Sequence, residues 1–386
     1  MKLIDNFINK ITMYRLMLYF LIFLWGEVFI LSIFNILPFS FIQFLFSTIA
    51  VLLSCYITNK FFSYVFKIPT NLESVYISSL ILVFLVLPAK TIPELVFIIT
   101  AGFFAMASKY VLAINKKHIF NPAAIAVFIT SFFSLGYASW WAGNIWTLPV
   151  IFIGGFLITK KIKRFTIVLG FLASFFIATF YFSFINDSDL IKTTQRIVFD
   201  SPILFFSFVM LVEPLTSPTA KKMQIIYGFL VGILAGSQFS IGPVYSTYET
   251  ALIVGNVFAF IVSFKKRLVL TLKEKTQIAN GVYEFIFAPD HKFAFTSGQY
   301  LEWTLSHNRP DSRGVRRYFT IASSPTEDTV RLGIKINSEK SSSFKNALIG
   351  LPSGSKIYAG QLSGDFVLPK KASEKLVFIA GGIGIT

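Results

Sequence analysis

Long apolar stretches fill the first two thirds of this chain. A bilayer core is crossed by about 20 apolar residues in a helix, and shorter half-helices are tolerated where other helices bury them. We therefore expect a polytopic α-helical membrane domain of about ten spans. The expected spans are 15–36, 39–58, 74–89, 92–109, 121–140, 145–159, 165–185, 201–214, 225–243 and 247–264.

The composition agrees with a membrane domain, and the distribution of charge along the chain shows where that domain ends. Of 386 residues, 54% are hydrophobic and 14% are charged, whereas a soluble domain is typically about 45–50% apolar and about 25% charged. A wholly soluble protein is thereby excluded. Residues 1–267 hold 20 Lys+Arg and 9 Asp+Glu, while the much shorter stretch 268–386 holds 15 and 10. The sequence thus predicts a membrane domain over 1–267, followed by a soluble part.

The basic residues of the membrane part lie in clusters between the apolar stretches. With the N-terminus inside, the predicted inner loops hold 17 Lys and Arg residues and the outer loops hold 3. Cytoplasmic loops carry such an excess, so we expect the N-terminus and the soluble part in the cytoplasm. We interpret the net charge of +16 as this topology signal. The predicted partner is the lipid bilayer, and no nucleic-acid partner is predicted.

Two segments interrupt the apolar stretches. Glu213-Pro214 begins a run with a second proline at Pro218, which predicts irregular backbone lining a cavity in the protein, or simply a helix end before a Lys221-Lys222 anchor. Asn121-Pro122 starts another apolar run, where an N-cap followed by proline at the first helical position is the simple interpretation. By spacing alone, neither segment identifies a ligand.

Together these segments resemble a family of membrane flavoproteins, which contains the D component of the Rnf electron-transport complex and the B component of the sodium-pumping NADH:quinone oxidoreductase. The resemblance covers about residues 75–264 and rests on Phe120-Asn121-Pro122-Ala123 and on the run 213–219. It implies a pseudo-repeated core with flavin held between helices. The membrane flavin candidates that it implies are Asn121, Glu213, Thr216, Ser217 and Thr219.

Two departures from this family bear on the cofactor. Glu213 stands where the family has aspartate, and the region between Phe120 and Glu213 contains no Ser-Gly-Ala-Thr segment, which carries the family's covalently attached FMN. We therefore expect any membrane flavin to be non-covalent FMN or riboflavin.

After Arg267 the pattern changes to short alternating runs typical of strands. They lie at Leu268–Lys273, Gly281–Ala288, Gln299–Leu305, Tyr318–Ala322, Val330–Ile336 and Lys356–Ala359. Such runs, separated by Gly, Pro, Ser and Asp, predict a closed antiparallel β-barrel. One helix is predicted over Ser343–Leu348, with the preceding serines as its N-cap and as a place for phosphate.

The run from Arg316 to Pro325 is the most specific string in the chain. Alternation along a strand places Arg317, Phe319 and Ile321 on one side, and Tyr318 and Thr320 on the other. Arg317 offers a bidentate fork for a pyrophosphate, and a neighbouring aromatic ring can pack on a flat heterocycle. An ordinary barrel strand with a basic edge explains these residues equally well.

The string resembles the Arg-x-Tyr-Ser/Thr flavin motif of the ferredoxin reductase family, with further segments at 297–300, 342–348 and 360–366 in family order. The resemblance, over about 268–386, implies a cytoplasmic FAD-binding β-barrel domain. It implies that Arg317, Ser342 and Ser343 hold the FAD pyrophosphate, and that Phe319 and Thr320 hold the flavin ring. Phe319 replaces the family tyrosine and so lacks its hydroxyl group.

The segment 376–386 is an apolar strand that runs into a glycine-rich turn. In the resembling family a nicotinamide-binding domain begins here, so the cofactor-binding candidates Gly381, Gly382, Gly384 and Thr386 are added. We expect the FAD-binding domain at 268–372 and, at 373–386, the first strand and turn of a truncated Rossmann-like domain. The chain is expected to be a fragment.

The interpretation that follows is a membrane-bound FAD-dependent oxidoreductase in a bacterial cytoplasmic membrane. It passes electrons from NAD(P)H through FAD to a quinone or flavoprotein acceptor. The alternative is an ion-translocating electron-transport subunit of Rnf type, in which Glu213 and Glu27 are the coupling carboxylates. A two-haem reductase needs four histidines and the chain has 3, while its 1 cysteine excludes an iron–sulfur cluster of four cysteines. No metal site and no acid–base catalytic residue are predicted.

Overall fold

The computed structural model divides into two compact units, Met1–Ser263 and Phe264–Thr386; the predicted boundary follows Arg267. The structure describes residues 8, 11–66, 72–114, 117–200, 202–263, 268–311, 315–336, 341–364, 366–369, 373 and 375–379. The glycine-rich turn with Gly381, Gly382, Gly384 and Thr386 therefore lies outside the described residues.

The first unit is built from helices. They are α1 (Met13–Ile33), α2 (Phe41–Phe66), α3 (Leu72–Leu85), α4 (Ile92–Val111), α5 (Pro122–Phe132), α6 (Leu148–Ile162), α7 (Phe165–Ile185), α8 (Leu190–Phe199), α9 (Ile203–Phe205, continued by a π-helix at Phe206–Met210), α10 (Lys221–Gly236) and α11 (Tyr248–Val262). Two short hairpins pair β1 (Ala113–Ile114) with β2 (Lys117–His118), and β3 (Ser240–Ile241) with β4 (Val244–Tyr245).

Among the described residues, α1, α2, α4 and α7 are long and apolar enough to cross a bilayer by length and composition. A helix suits lipid because its backbone donors and acceptors bond within the segment. Each of the ten predicted spans contains a helix, but the other helices are shorter, so the count of ten stays a prediction. Helix α8 lies in a segment that was predicted as a loop.

Helix α3 ends inside the apolar unit, and a tryptophan-containing loop binds its last carbonyl groups. The backbone N–H groups of Ser139 and Trp140 donate to Leu85 O at 2.8 and 3.0 Å. The Trp141 indole N–H donates to Val86 O at 2.8 Å. Carbonyls at a helix end need partners when water is excluded, so this loop makes the interruption of the helix possible.

Helices α7 and α10 approach each other along a glycine stripe at Gly228, Gly232 and Gly236. A Cβ atom added at Gly228 would lie 2.4 Å from Ile167 O, and one at Gly232 would lie 2.4 Å from Phe171 O. Small residues at this spacing allow two helix backbones to touch in a membrane. The backbone of α10 therefore packs directly on that of α7.

The second unit contains one six-stranded antiparallel sheet. Its strands are β5 (Leu268–Ala279), β6 (Val282–Pro289), β7 (Tyr300–Thr304), β8 (Arg316–Thr320), β9 (Val330–Lys335) and β10 (Lys356–Ser363). The spatial order is β8-β7-β10-β5-β6-β9. The six strands predicted between 268 and 359 are present, and so is the predicted helix, as α12 (Ser343–Ile349). The strand predicted to begin the segment 376–386 is not formed over the described residues 375–379.

The two outer strands of this sheet, β8 and β9, do not pair as a ladder in the described part of the chain. Just beyond β8, the N–H of Ala322 donates to Arg331 O of β9 at 3.0 Å. The sheet therefore curls until its edges meet at one backbone hydrogen bond. The predicted closed barrel is not confirmed, because one bond does not make a strand pair.

The sheet curls around large apolar side chains. Trp303, Phe285, Phe287 and Phe344 are fully buried there. The three strand residues alternate with more exposed residues along their strands, as expected for a sheet that buries one face. Because Phe344 belongs to α12, this short helix packs its first turn against the sheet core.

Candidate functional site

Arg317 is the central residue of the site in the second unit. Its side chain is only 14% exposed, and its Nη2 atom lies 2.9 Å from Asp311 Oδ1. The guanidinium carbon lies 5.4 Å from the centre of the Phe344 ring, within the range of a cation–π contact. A buried cation is therefore held between a carboxylate and an aromatic ring.

The predicted alternation along β8 agrees with the contacts on its two sides. Phe319 packs on the same Phe344 ring as Arg317, with centroids 5.7 Å apart. Tyr318 is exposed, and its hydroxyl donates to Glu302 Oε2 at 2.7 Å. Thr320 pairs with Tyr300 and shares the side of Tyr318 by register. Of the two predicted ring-holding residues, the structure brings only Phe319 to Arg317.

The predicted phosphate residues lie at the start of α12. The Ser342 Oγ accepts from Lys345 N–H at 3.3 Å and thereby caps the helix. The Ser343 Oγ accepts from Asp311 N–H at 2.8 Å and lies 2.9 Å from His307 Nε2. Ser343 N–H donates to Asp311 Oδ2 at 3.2 Å. Ser343 therefore joins the Arg317 cluster directly, whereas the Ser342 hydroxyl serves the helix.

Asp311, His307 and Phe344 are parts of this cluster to which sequence reasoning gave no role. Asp311 follows Pro310 just after a bend at 308–309, and His307 lies shortly after β7. Both contact Ser343, which is more than 30 positions further along the chain. An aspartate after a proline suggests a turn, but no sequence signal connects that turn with α12.

The strand that carries Arg317 is anchored at its end. The Ser323 hydroxyl accepts from Arg331 N–H at 3.3 Å. Ser324 N–H donates to Glu327 Oε1 at 2.9 Å, and this bond, with a smaller effect of Arg331, lowers the pKa of Glu327. Glu327 therefore stays ionised at neutral pH, where its pairing with Arg331 helps to hold the turn after β8.

The donor set around Arg317 fits a dinucleotide phosphate. A guanidinium fork and a nearby backbone N–H are the groups that bind phosphate oxygens in proteins. The half-buried Phe319 ring adds an apolar face beside them, and the fully buried Phe344 ring supports it from the core. FAD supplies both a pyrophosphate and a flat ring system, so the chemistry of these residues is compatible with it.

In the first unit, Asn121 and Glu213 meet across 92 positions of sequence. Asn121 caps α5, and its Oδ1 accepts from the N–H groups of Ala123 and Ala124, both at 3.1 Å. Its Nδ2 donates to Glu213 Oε2 at 2.9 Å, and Thr216 Oγ1 donates to the same oxygen at 3.0 Å. One amide thus starts a helix and also binds a carboxylate.

Asn256 ties this site to α11. Its Oδ1 accepts from Asn121 N–H at 2.8 Å, and its Nδ2 donates to Thr216 O at 3.1 Å. Asn256 and the adjacent Tyr227 are fully buried. Sequence reasoning passed over Asn256, although an amide within an apolar stretch is a usable signal because buried polar groups need partners.

Arg164 holds the irregular segment after Glu213. This buried residue donates to the Ser217 hydroxyl and to Pro218 O, the latter at 2.9 Å. Gln224 Nε2 donates to Thr219 O at 3.1 Å. Ser217 and Thr219 therefore belong to the scaffold of the segment, one step away from the Asn121 and Glu213 side chains. The predicted irregular backbone over 213–219 is present.

A cavity of about 40 Å³ lies beside Asn121 and Glu213, lined also by Ser74, Ser78 and Tyr14. Such a volume holds a few water molecules, whereas pockets for drug-sized ligands are about 300–1,000 Å³. The His118 Nε2 lies 3.6 Å from Glu213 Oε1. In this arrangement the cavity does not fit a flavin ring system.

A second buried carboxylate lies elsewhere in the first unit. Glu249, at the start of α11, is 5% exposed, and its Oε2 accepts from the Trp140 indole N–H at 3.1 Å. The Trp140 ring packs against Phe206 and Tyr248. Sequence reasoning considered Glu27 and Glu213 here, and the structure adds Glu249 as the most deeply buried of these three.

The two units together define a class of protein, an integral membrane protein with an attached β-sheet domain. More particularly, residues 133–267 match the model of the NQR2, RnfD, RnfE family. The resemblance inferred from the helical segments is thus confirmed over that range, which begins after α5 and leaves out Asn121. A search of curated proteins found no match.

Several solved structures are similar to about a quarter of this chain. They include a mutant ferredoxin-NADP+ reductase from Plasmodium falciparum in complex with 2'P-AMP, at 22% identity over 28% of this chain and 44% of that chain, with a TM-score of 0.25. The cytochrome b5 reductase domain of Ulva prolifera nitrate reductase matches at 21% identity, 27% and 43% coverage and a TM-score of 0.24.

Phthalate dioxygenase reductase matches at 18% identity, with 27% and 32% coverage and a TM-score of 0.23. The chain spans less than half the length of each of these three structures. The assignment of the Arg317 cluster depends on its own contacts.

Proposed function

We propose that this chain is a membrane-bound flavin oxidoreductase that passes electrons from NAD(P)H through FAD to an acceptor in or beyond the membrane. The acceptor is a quinone or another flavin. The second unit carries the FAD, and the first unit supplies the route into the bilayer. The match of residues 133–267 to a membrane electron-transport family supports the role of the first unit.

The observation that carries the proposal is the convergence of Arg317, Phe319 and Ser343. These residues lie on β8 and α12, and they meet around the single Phe344 ring and the Asp311 carboxylate. An ordinary basic strand edge would leave the arginine in solvent, where a charge needs no partner. Here the guanidinium is mostly buried and pairs with the Asp311 carboxylate, so this face of β8 is built to hold an anion against Arg317.

Each residue has a definite role in holding the cofactor. Arg317 binds the pyrophosphate, Ser343 adds a backbone N–H, and Phe319 packs against the ring system. Ser342 maintains the start of α12, and Thr320 stays a proposed ring contact from the other side of β8. FAD, when bound, accepts a hydride and returns electrons one at a time. Orientation and charge compensation are the work of the protein.

The test is the flavin content of the full chain purified in detergent. We expect an absorption spectrum of flavin with no Soret band, and acid extraction should release FAD. Arg317→Ala should lose most of the FAD, whereas Lys292→Ala should keep it, because Lys292 is 88% exposed and pairs with Asp328 away from the Arg317 cluster. Wild-type protein without flavin after reconstitution with FAD, or equal loss in both variants, contradicts the proposal.

The second candidate function is ion translocation driven by the same electron transfer. It is favoured by Glu213, a carboxylate inside the apolar unit next to a water-sized cavity. Ionisable groups at membrane depth are expensive and usually functional. Donor oxidation by membrane vesicles should then depend on sodium or respond to an uncoupler, and a rate independent of both refutes coupling.

A further inference from the structure

Asp311 holds its carboxylate directly against the Arg317 guanidinium. Its Oδ1 lies 2.9 Å from Arg317 Nη2, and its Oδ2 accepts from Ser343 N–H at 3.2 Å. The carboxylate thus bridges a guanidinium and a backbone N–H. These are the two kinds of donor that the proposed function assigns to the FAD pyrophosphate.

We propose that Asp311 is an internal counter-anion of Arg317, which the flavin pyrophosphate must displace, so that Asp311 sets the affinity for phosphate-bearing flavins. This inference rests on the proposed function. Asp311 is a positioning residue, because it acts on the cofactor through Arg317. No bond is made or broken in the exchange; one anion replaces another at the same guanidinium.

The burial of the pair is the physical reason for the competition. Side-chain exposure is 14% for Arg317 and 26% for Asp311, so water screens the pair weakly. Two anions on one guanidinium repel each other more strongly in such surroundings than in bulk water. An isolated buried cation is also unfavourable, and Asp311 supplies its counter-charge before the cofactor arrives.

A backbone hydrogen bond attaches Asp311 to α12 independently of its carboxylate. Asp311 N–H donates to Ser343 Oγ at 2.8 Å, and this bond does not involve the carboxylate. The main chain can therefore remain attached to α12 while the side chain turns away from Arg317. The exchange then requires a side-chain rotation with no unfolding of the loop.

The experiment measures equilibrium binding of FAD and of riboflavin to the full chain, freed of flavin and kept in detergent. The variants are Asp311→Asn and Asp311→Ser, since serine can still accept from a helix N–H. The matched control is Asp328→Asn, which removes the same charge from an exposed pair with Lys292. Flavin fluorescence gives the Kd in each case.

Both Asp311 variants should bind FAD about tenfold more tightly than wild type, because one like charge beside the phosphate is removed. Riboflavin has no phosphate, and its affinity should stay the same. Asp328→Asn should match wild type for both ligands. In an Arg317→Ala background, Asp311→Asn should no longer change FAD binding, because the effect passes through Arg317.

Other outcomes overturn the inference. Weaker or unchanged FAD binding in the Asp311 variants means that the carboxylate orients Arg317 or is a structural cap. An equal change in riboflavin affinity also overturns the inference. Failure of both variants to fold overturns it as well, because Asp311 is then a structural residue. If wild type binds no FAD, the proposed function fails and this inference fails with it; if wild type binds FAD and the variants are not tighter, this inference fails alone.

Discussion

Gly228→Ala should separate helices α7 and α10, whereas Gly26→Ala should be harmless. A Cβ atom at Gly228 would lie 2.4 Å from Ile167 O and 3.0 Å from Phe171 N, both backbone atoms of α7. A Cβ atom at Gly26, inside α1, would meet no heavy atom within 4 Å. The two substitutions are chemically identical and both occur inside a helix.

The magnitude follows from these distances. Ordinary contact begins at 3.4 Å, so α10 must move by about 1 Å, and a gap of 0.5–1 Å already forfeits about a quarter to a half of the dispersion energy of the facing atoms. Overpacking of this kind costs up to about 3 kcal/mol. Alanine returns about 1 kcal/mol of helix propensity, which leaves a net loss of about 2 kcal/mol.

The assay is thermal unfolding of the full chain in detergent, followed by the fraction that still elutes as a monodisperse peak. By the scaling of large domains, about 2 kcal/mol lowers the midpoint by roughly 4–8 °C. Gly26→Ala should leave it unchanged or raise it. Equal midpoints for Gly228→Ala and wild type, or an equal drop in both variants, would refute the close approach of the two helices.

Three further predictions concern the two polar clusters. Asn256→Ala should cost about 1–3 kcal/mol, because it leaves buried backbone groups without partners, whereas Asn186→Ala at an exposed site should cost little; thermal unfolding in detergent compares them. Glu213→Gln should keep the free energy of unfolding within about 1 kcal/mol of wild type, since an amide oxygen still accepts both hydrogen bonds, while Glu213→Ala should lower it by about 1–3 kcal/mol; equal thermal midpoints for the two variants would contradict this. Phe319→Ala should reduce the FAD retained after gel filtration, and Tyr318→Ala should retain it, because the two side chains lie on opposite sides of β8; loss in both would refute the assigned face.

The elements of the second unit could be predicted well from the sequence. Every strand from Leu268 onward was expected from short alternating runs, and the helix at Ser343 from its serine N-cap. The alternation of polar and apolar residues along a strand is a local property, so it predicts the strand whichever partner the strand pairs with. The predicted closure into a barrel is not confirmed, because contact between the sheet edges, such as the bond between Ala322 and Arg331, depends on tertiary packing that no local pattern encodes.

The candidate site was predicted in part. Arg317 and Phe319 were chosen correctly as neighbours on one face, since a strand has a fixed period of two. Asp311 was not predicted, because its contact with Arg317 requires a loop of unremarkable composition to fold onto α12. In the first unit, the Asn121–Pro122 and Glu213–Pro214 segments were singled out separately, and their direct hydrogen bond appears only in three dimensions.

The sequence by itself determined that the chain has an apolar helical part and a β-rich part, because hydropathy, charge density and periodicity are sums over neighbouring residues. It also determined that Arg317 and Phe319 share a side. Only the tertiary structure decided that the Arg317 guanidinium is paired with Asp311, and that Asn121, Glu213 and Asn256 form one buried network. Such pairs join residues far apart in the chain, and their geometry is set by packing that excludes water and leaves each polar group to find a specific partner.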